Sequence, residues 1–168
     1  MTVAARAELS VTDSTVSGSV TATDPAGITY CGSTEAGNLT VTGATGPVVL
    51  SSALPDGTAC AADTISGAVA ITGASAPVTV TGLKQRGALT LENDSAGVDL
   101  VGGQFKGSAY VSDNTATAPA AITVSGVAVT GSLYCTRNSP APTDAGTLNT
   151  VSVATASDQC TDLEEQQG

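Results

Sequence analysis

Six glycines limit what this chain can fold into. Gly18, Gly37, Gly67, Gly87, Gly107 and Gly131 each open a short segment of one design: GSVTAT, GNLTVT, GAVAIT, GALTLE, GSAYVS and GSLYCT. The second residue after the glycine is Val20, Leu39, Val69, Leu89, Ala109 or Leu133. The fourth is Ala22, Val41, Ile71, Leu91, Val111 or Cys135. In a strand these two positions share one face, and the polar or small residues between them face the other way. A second alternating segment follows each time, at Ile28, Val48, Val78, Val98 and Ile122, with a sixth copy expected in VSV from Val151. A third, shorter element precedes the glycine, as in TVSG, TISG, QFKG and VAVTG. Each unit thus reads strand, turn, strand, corner, short strand, corner.

The glycine spacings are 19, 30, 20, 20 and 24 residues. Units of about twenty residues that cannot bury a face alone must stack. The expected fold is therefore all-β: one parallel β-helix, a β-solenoid of about six coils. Its irregular coil lengths favour the right-handed form over a strict hexapeptide helix. A β-sandwich also shows short strands at regular intervals, but it does not require the same residue class in column after column. The expected division is an N-terminal strand or cap over residues 1–13, the solenoid over 14–153, and a tail over 154–168 that closes the last coil through Cys160. The final TDLEEQQG reads as solvated.

Composition agrees with a thin core. The 168 residues include one Phe, three Tyr and no Trp, and a narrow coil interior has room for Val, Leu, Ile and Ala. The formal charge of −10 argues against nucleic acid or anionic lipid as a partner, since both select basic surfaces. No apolar run is long enough to span a membrane, and MTVAARAELS lacks the apolar stretch of a signal peptide. The chain has no His. That removes Ser–His–Asp and Cys–His nucleophile systems and argues against a zinc site at the cysteines. Cys31, Cys60, Cys135 and Cys160 form no CxxC pair. An even number of isolated cysteines fits two disulfides in an oxidising compartment, and three pairings are possible. Cys135 stands in an inward column and Cys160 in the tail, so a bond between them would draw the tail over the open end. Cys31 faces outward, and Cys60 lies in the one long insertion, SSALPDGTACAAD, so Cys31–Cys60 would pin that insertion.

The closing segment GSLYCTRNSPAPTDAGTLNTVSV, followed by SDQC, resembles the C-terminal cassette of secreted, uncharacterised β-solenoid proteins of actinobacteria. The residues that carry the likeness are Gly131, Leu133, Cys135, Asn138, Pro140, Pro142, Asn149, Thr150, Val151 and Cys160. The resemblance implies a parallel β-helix exported to the cell envelope or the medium. It implies no activity.

Four groups are candidate sites. Lys84, Arg86 and Lys106 are three of only five basic residues. Arg86 and Lys106 precede successive column glycines, so they should stack one coil apart, with Tyr110 on the next strand as a sugar-stacking surface. Thr21, Thr23, Thr40 and Thr42 form a Thr-x-Thr ladder of the kind that binds ice; it breaks at Ala70, Glu92, Tyr110 and Tyr134. The turn column Asn93–Asp94, Asp113–Asn114 and Arg137–Asn138, with Asp24, offers oxygens to calcium, although Asn and Asp also occupy such turns for backbone reasons alone. Glu92 and Asp99 are the outward acids available to a carbohydrate-active enzyme, and they lie on different strands. The leading expectation is a secreted, non-enzymatic structural or adhesive module of the cell envelope or matrix. It would bind a glycan, a cell-wall polymer or itself, with no cofactor and no metal. Ice binding is the alternative, and a carbohydrate-active β-helix enzyme the third.

Overall fold

A computed structural model describes residues 1–54, 57–153 and 155–164. The chain is a parallel β-solenoid. Each full coil contributes one strand to each of three sheets, which hold eight, six and seven strands. The columns read from sequence pair in register: Val20 with Leu39, Leu39 with Val69, Val69 with Leu89, Leu89 with Ala109, and Ala109 with Leu133. All six are fully buried.

The glycine column marks the closest contact between coils. These glycines have no left-handed backbone; from Gly37 onward they are bare because the preceding coil is too near. A Cβ at Gly87 would lie 2.6 Å from the Ala68 amide nitrogen and 2.6 Å from the Gly67 carbonyl, and one at Gly131 would lie 2.7 Å from the Ser108 amide nitrogen. The opposite corner uses the left-handed conformation instead. Asp24, Gly43, Gly73, Asn93, Asp113 and Arg137 follow the first-sheet strands with φ between 49° and 69°.

Three readings are corrected. The first sheet has eight rungs where six coils were expected. Thr2–Val3 and Ala156–Asp158 supply the two extra rungs, pairing with Thr21–Ala22 and Leu133–Cys135. Thr2–Val3 is only two residues long and no glycine stands two residues before Ala156, so neither shows in the repeat. Residues 1–13, expected as a strand or cap, contain the second-sheet strand Glu8–Thr12, paired with Gly27–Cys31. Val151 belongs to the third sheet, paired with Val129, and not to the second. Beyond Ile122–Ser125 the second sheet gains only the single bridge Thr123–Thr143, since Pro140 and Pro142 have no N–H to give a ladder. Finally, the tail is packed as far as residue 164. Thr161–Leu163 forms a 3-10 turn with Leu163 buried, and the Glu164 carboxylate accepts the Ala156 N–H at 3.0 Å. Residues 165–168 of the supposed solvated tail lie outside the described residues.

The interior is less apolar than the pattern suggests. One residue after the left-handed corner, Asp94, Asn114, Asn138 and Gln159 turn inward and bridge coil to coil. The Asp94 N–H donates to Asn114 Oδ1 (2.9 Å), the Asn114 N–H to Asn138 Oδ1 (3.1 Å), and the Asn138 N–H to Gln159 Oε1 (2.8 Å). The amides also give their own protons to carbonyls one coil back: Asn114 Nδ2 to Leu91 (2.9 Å) and Asn138 Nδ2 to Val111 (2.8 Å). Asp94 has no such proton when ionised. Its Oδ1 accepts from Ala74 N–H at 2.7 Å, while its buried Oδ2 has no partner. Glu35 is a second core acid, held by the Tyr30 hydroxyl at 2.8 Å and the Val20 N–H at 3.1 Å.

Both expected disulfides are present. Cys31–Cys60 spans 5.7 Å between Cα atoms and Cys135–Cys160 spans 5.2 Å. Such bonds mark a chain that folds in an oxidising compartment. Closing these loops stabilises by about 2–5 kcal/mol each. Replacing both cysteines of the 135–160 pair by Ser should cost more than replacing the 31–60 pair, because the first also opens the end of the core. Urea unfolding without reductant measures this, and the reverse order would refute it.

Burial pushes Asp94 up to about 7 and Asp63 to about 6, against an ordinary 3.8, and it raises Glu35 as well. All three pKa values are higher in the folded chain than in the unfolded one. The folded state therefore binds more protons across that window. The stability they contribute is complete below about pH 4 and is lost as pH rises through 6 to 7. The melting midpoint should be higher at about pH 4.5 than at about pH 8. Asp94→Asn supplies the missing donor, so it should add about 1–3 kcal/mol at the higher pH and flatten the pH profile. An unchanged midpoint at the higher pH would overturn this account.

Candidate functional site: a cationic groove on the third sheet

The third-sheet strands are only two residues long. The second residue of each turns inward, as Gln85, Phe105 and Val129 do. The residues on either side of it face out. This sets two outward columns along the solenoid axis, with a trough between them. One column runs Thr64, Lys84, Gln104, Ala128 by strand register. The other runs Arg86, Lys106, Thr130, Ser152, each following an inward residue. The trough has a volume of about 350 Å³.

Lys84, Arg86 and Lys106 all line it, together with Gln104, Thr130 and Ser152. The Arg86 N–H bonds the Ile65 carbonyl and the Lys106 N–H bonds the Gln85 carbonyl. The two cations therefore stand on successive rungs, about 4.8 Å apart in backbone spacing. No carboxylate lines the groove. Among the described residues the one ion pair is elsewhere: Arg137 holds Asp113 in a fork at the left-handed corner, with 2.6 Å from both Nε and Nη2. That guanidinium keeps the Asp113 carboxyl below its usual range. A chain of net charge −10 thus gathers three exposed cations into one trough and leaves them without acidic partners among the described residues.

The stacking of Arg86 and Lys106 agrees with the sequence reading. Tyr110 is not in the groove. The chain turns at Gly107 into the first sheet, where Tyr110 pairs with Tyr134 and the rings stack at 5.1 Å and 8°. Gln104, Thr130 and Ser152 were missed. Only the two-residue length of the strands, invisible in the repeat, puts them beside the cations.

The threonines are in register: Thr21 with Thr40 and Thr23 with Thr42. Each row gains a member, Thr2 beside Thr21 and Thr72 beside Thr42. Thr2 was missed because its strand is only two residues long and shows no alternation. The turn column does not offer a calcium site. Asp94, Asn114 and Asn138 face inward and are buried, Asp113 is engaged by Arg137, and no group of three His, Cys, Asp or Glu suited to a metal occurs among the described residues. Glu92 stands on the first sheet and Asp99 on the second. Among the described residues, no helix is long and apolar enough to cross a membrane. No protein-family model, no curated protein and no solved structure matches the chain.

Proposed function

We propose that this chain is a non-enzymatic extracellular binding module, and that the third-sheet groove holds an anionic polymer of the cell envelope or matrix. One observation carries the reading: three of five basic residues line one axial trough that has no carboxylate. The disulfides and the resemblance of the C-terminal cassette to exported proteins support the location. The role is structural or adhesive, since the outward acids Glu92 and Asp99 stand on separate sheets.

Exposed ionic contacts are worth about 1 kcal/mol or less each. Three of them give weak binding by one copy, and useful attachment comes from many copies on one polymer. Screening shortens from a Debye length of about 30 Å at 0.01 M salt to about 8 Å at physiological ionic strength. Retention on an immobilised acidic polysaccharide should therefore be clear at low salt and lost near 0.15 M, on the order of one Debye-length crossover. The Arg86→Glu, Lys106→Glu double variant should keep its melting midpoint and lose retention. Equal retention by the variant would reduce the groove to a solubilising face.

A second reading rests on the first sheet. Its N-terminal rungs present Thr2, Thr21 and Thr40 in one row and Thr23, Thr42 and Thr72 in the next. A flat array of hydroxyls and methyls at rung spacing suits a crystalline surface such as ice. This reading requires thermal hysteresis that disappears in Thr40→Lys, Thr42→Lys. No hysteresis and no inhibition of recrystallisation at millimolar protein, on the order of the weakest useful affinity, would remove it.

A further inference from the structure

The shape of the groove narrows the class of polymer. The groove runs along the solenoid axis across five successive rungs, from the strand of Thr64 to that of Ser152. Four spacings of about 4.8 Å make it roughly 19 Å long. It is uninterrupted, because the rungs pair in unbroken parallel register. Its floor is strand backbone, rigidly hydrogen-bonded to the coils on either side. The charges are not spread evenly. Arg86 and Lys106 occupy adjacent rungs of one wall, Lys84 stands on the other wall level with Arg86, and uncharged donors and acceptors follow at Gln104, Thr130 and Ser152.

Resting on the groove reading above, we propose that the ligand is a stiff acidic polysaccharide with one carboxylate on each sugar, a polyuronate, lying parallel to the solenoid axis. Three features of the groove select it. A chain of linked six-membered rings is already extended, so it loses little conformational entropy in an uninterrupted axial trough. A polyol phosphate or a polypeptide must be ordered rotor by rotor, at about 0.5–1.5 kcal/mol for each group immobilised. A planar carboxylate matches the two-pronged face of Arg86. The neutral side chains beyond the cations have no charge to meet, but they suit ring hydroxyls as donors and acceptors. A ligand carrying charge alone leaves Gln104, Thr130 and Ser152 unused. Acids that alternate sides along the chain would meet Lys84 on one wall and Arg86 or Lys106 on the other.

The test is a low-salt titration, followed by NMR shifts, of the whole protein with three probes: galacturonate oligomers of one to six sugars, glutamate oligomers of matched charge, and inorganic phosphate. The reading expects affinity for the uronates to rise about tenfold from the monomer to the trimer and to level off by about the fifth sugar, the length of the groove. Glutamate oligomers should bind at least about fivefold more weakly at equal charge, which is about 1 kcal/mol. Gln104→Glu, at an exposed position, places a carboxylate between the cations. It should weaken the uronate trimer at least about fivefold with an unchanged melting midpoint, and Gln104→Lys should tighten it. If glutamate and uronate oligomers bind alike, the polyuronate assignment falls and the anion groove stands. If phosphate or the monomer binds as well as the trimer, the site is for a small anion and the polymer orientation falls. If no probe binds at low salt, and the Arg86→Glu, Lys106→Glu variant is indistinguishable from the parent, both readings fall.

Discussion

Everything in this fold depends on how closely two coils can approach at the corner between the third and first sheets. There, backbone meets backbone, and a single Cβ would come within 3 Å of the coil beneath, as at Gly87 and Gly131. Because that corner is tight, every first-sheet strand starts from the same place. The inward columns then stack without drift, and small and medium aliphatic side chains fill the interior completely. Larger aromatics would force the coils apart. Tyr30 and Phe105 are the two that the core accepts, and the Tyr30 hydroxyl needs Glu35 as its partner.

The second support is polar. A narrow solenoid cannot keep all its corner amides in water, and a buried amide without a partner costs about 1–3 kcal/mol. The Asn114–Asn138–Gln159 ladder resolves this from inside, since each side chain accepts an N–H from the preceding coil and donates to a carbonyl of that same coil. Asp94 is the member that breaks the pattern. It ties the interior of the solenoid to proton concentration, and it does so in the same direction as Glu35 and Asp63.

Much of this was legible in the sequence, because a solenoid writes its register in columns. Leu39, Val69 and Leu89 announce their stacking by spacing alone, and the cysteines could be paired by asking which bond would close an open end or pin an insertion. What could not be read is equally physical. The first-sheet strands Thr2–Val3 and Ala156–Asp158 do not repeat the alternating aliphatic pattern of the other rungs, so they leave no mark in the repeat. Val151 resembles a second-sheet strand in composition, but Pro140 and Pro142 had already consumed the residues that would have formed one. Asp94, Asn114 and Asn138 follow residues that take the left-handed turn, and the sequence does not say whether the next side chain faces in or out. Tyr110 is four residues from Lys106 along the chain, yet a corner separates their faces.

The two-residue strands of the third sheet have one more consequence. Only one side chain of each strand is committed to the core there, while Lys84, Arg86, Gln104 and Lys106 on either side of it are exposed. Core and surface are therefore written on alternate letters of the same short word. Lengthening the protein by one coil would lengthen the trough by one rung, with two outward positions free to carry any chemistry. A surface of this kind grows in whole steps, like the gradations of a ruler, and its reach is counted in coils rather than shaped by loops.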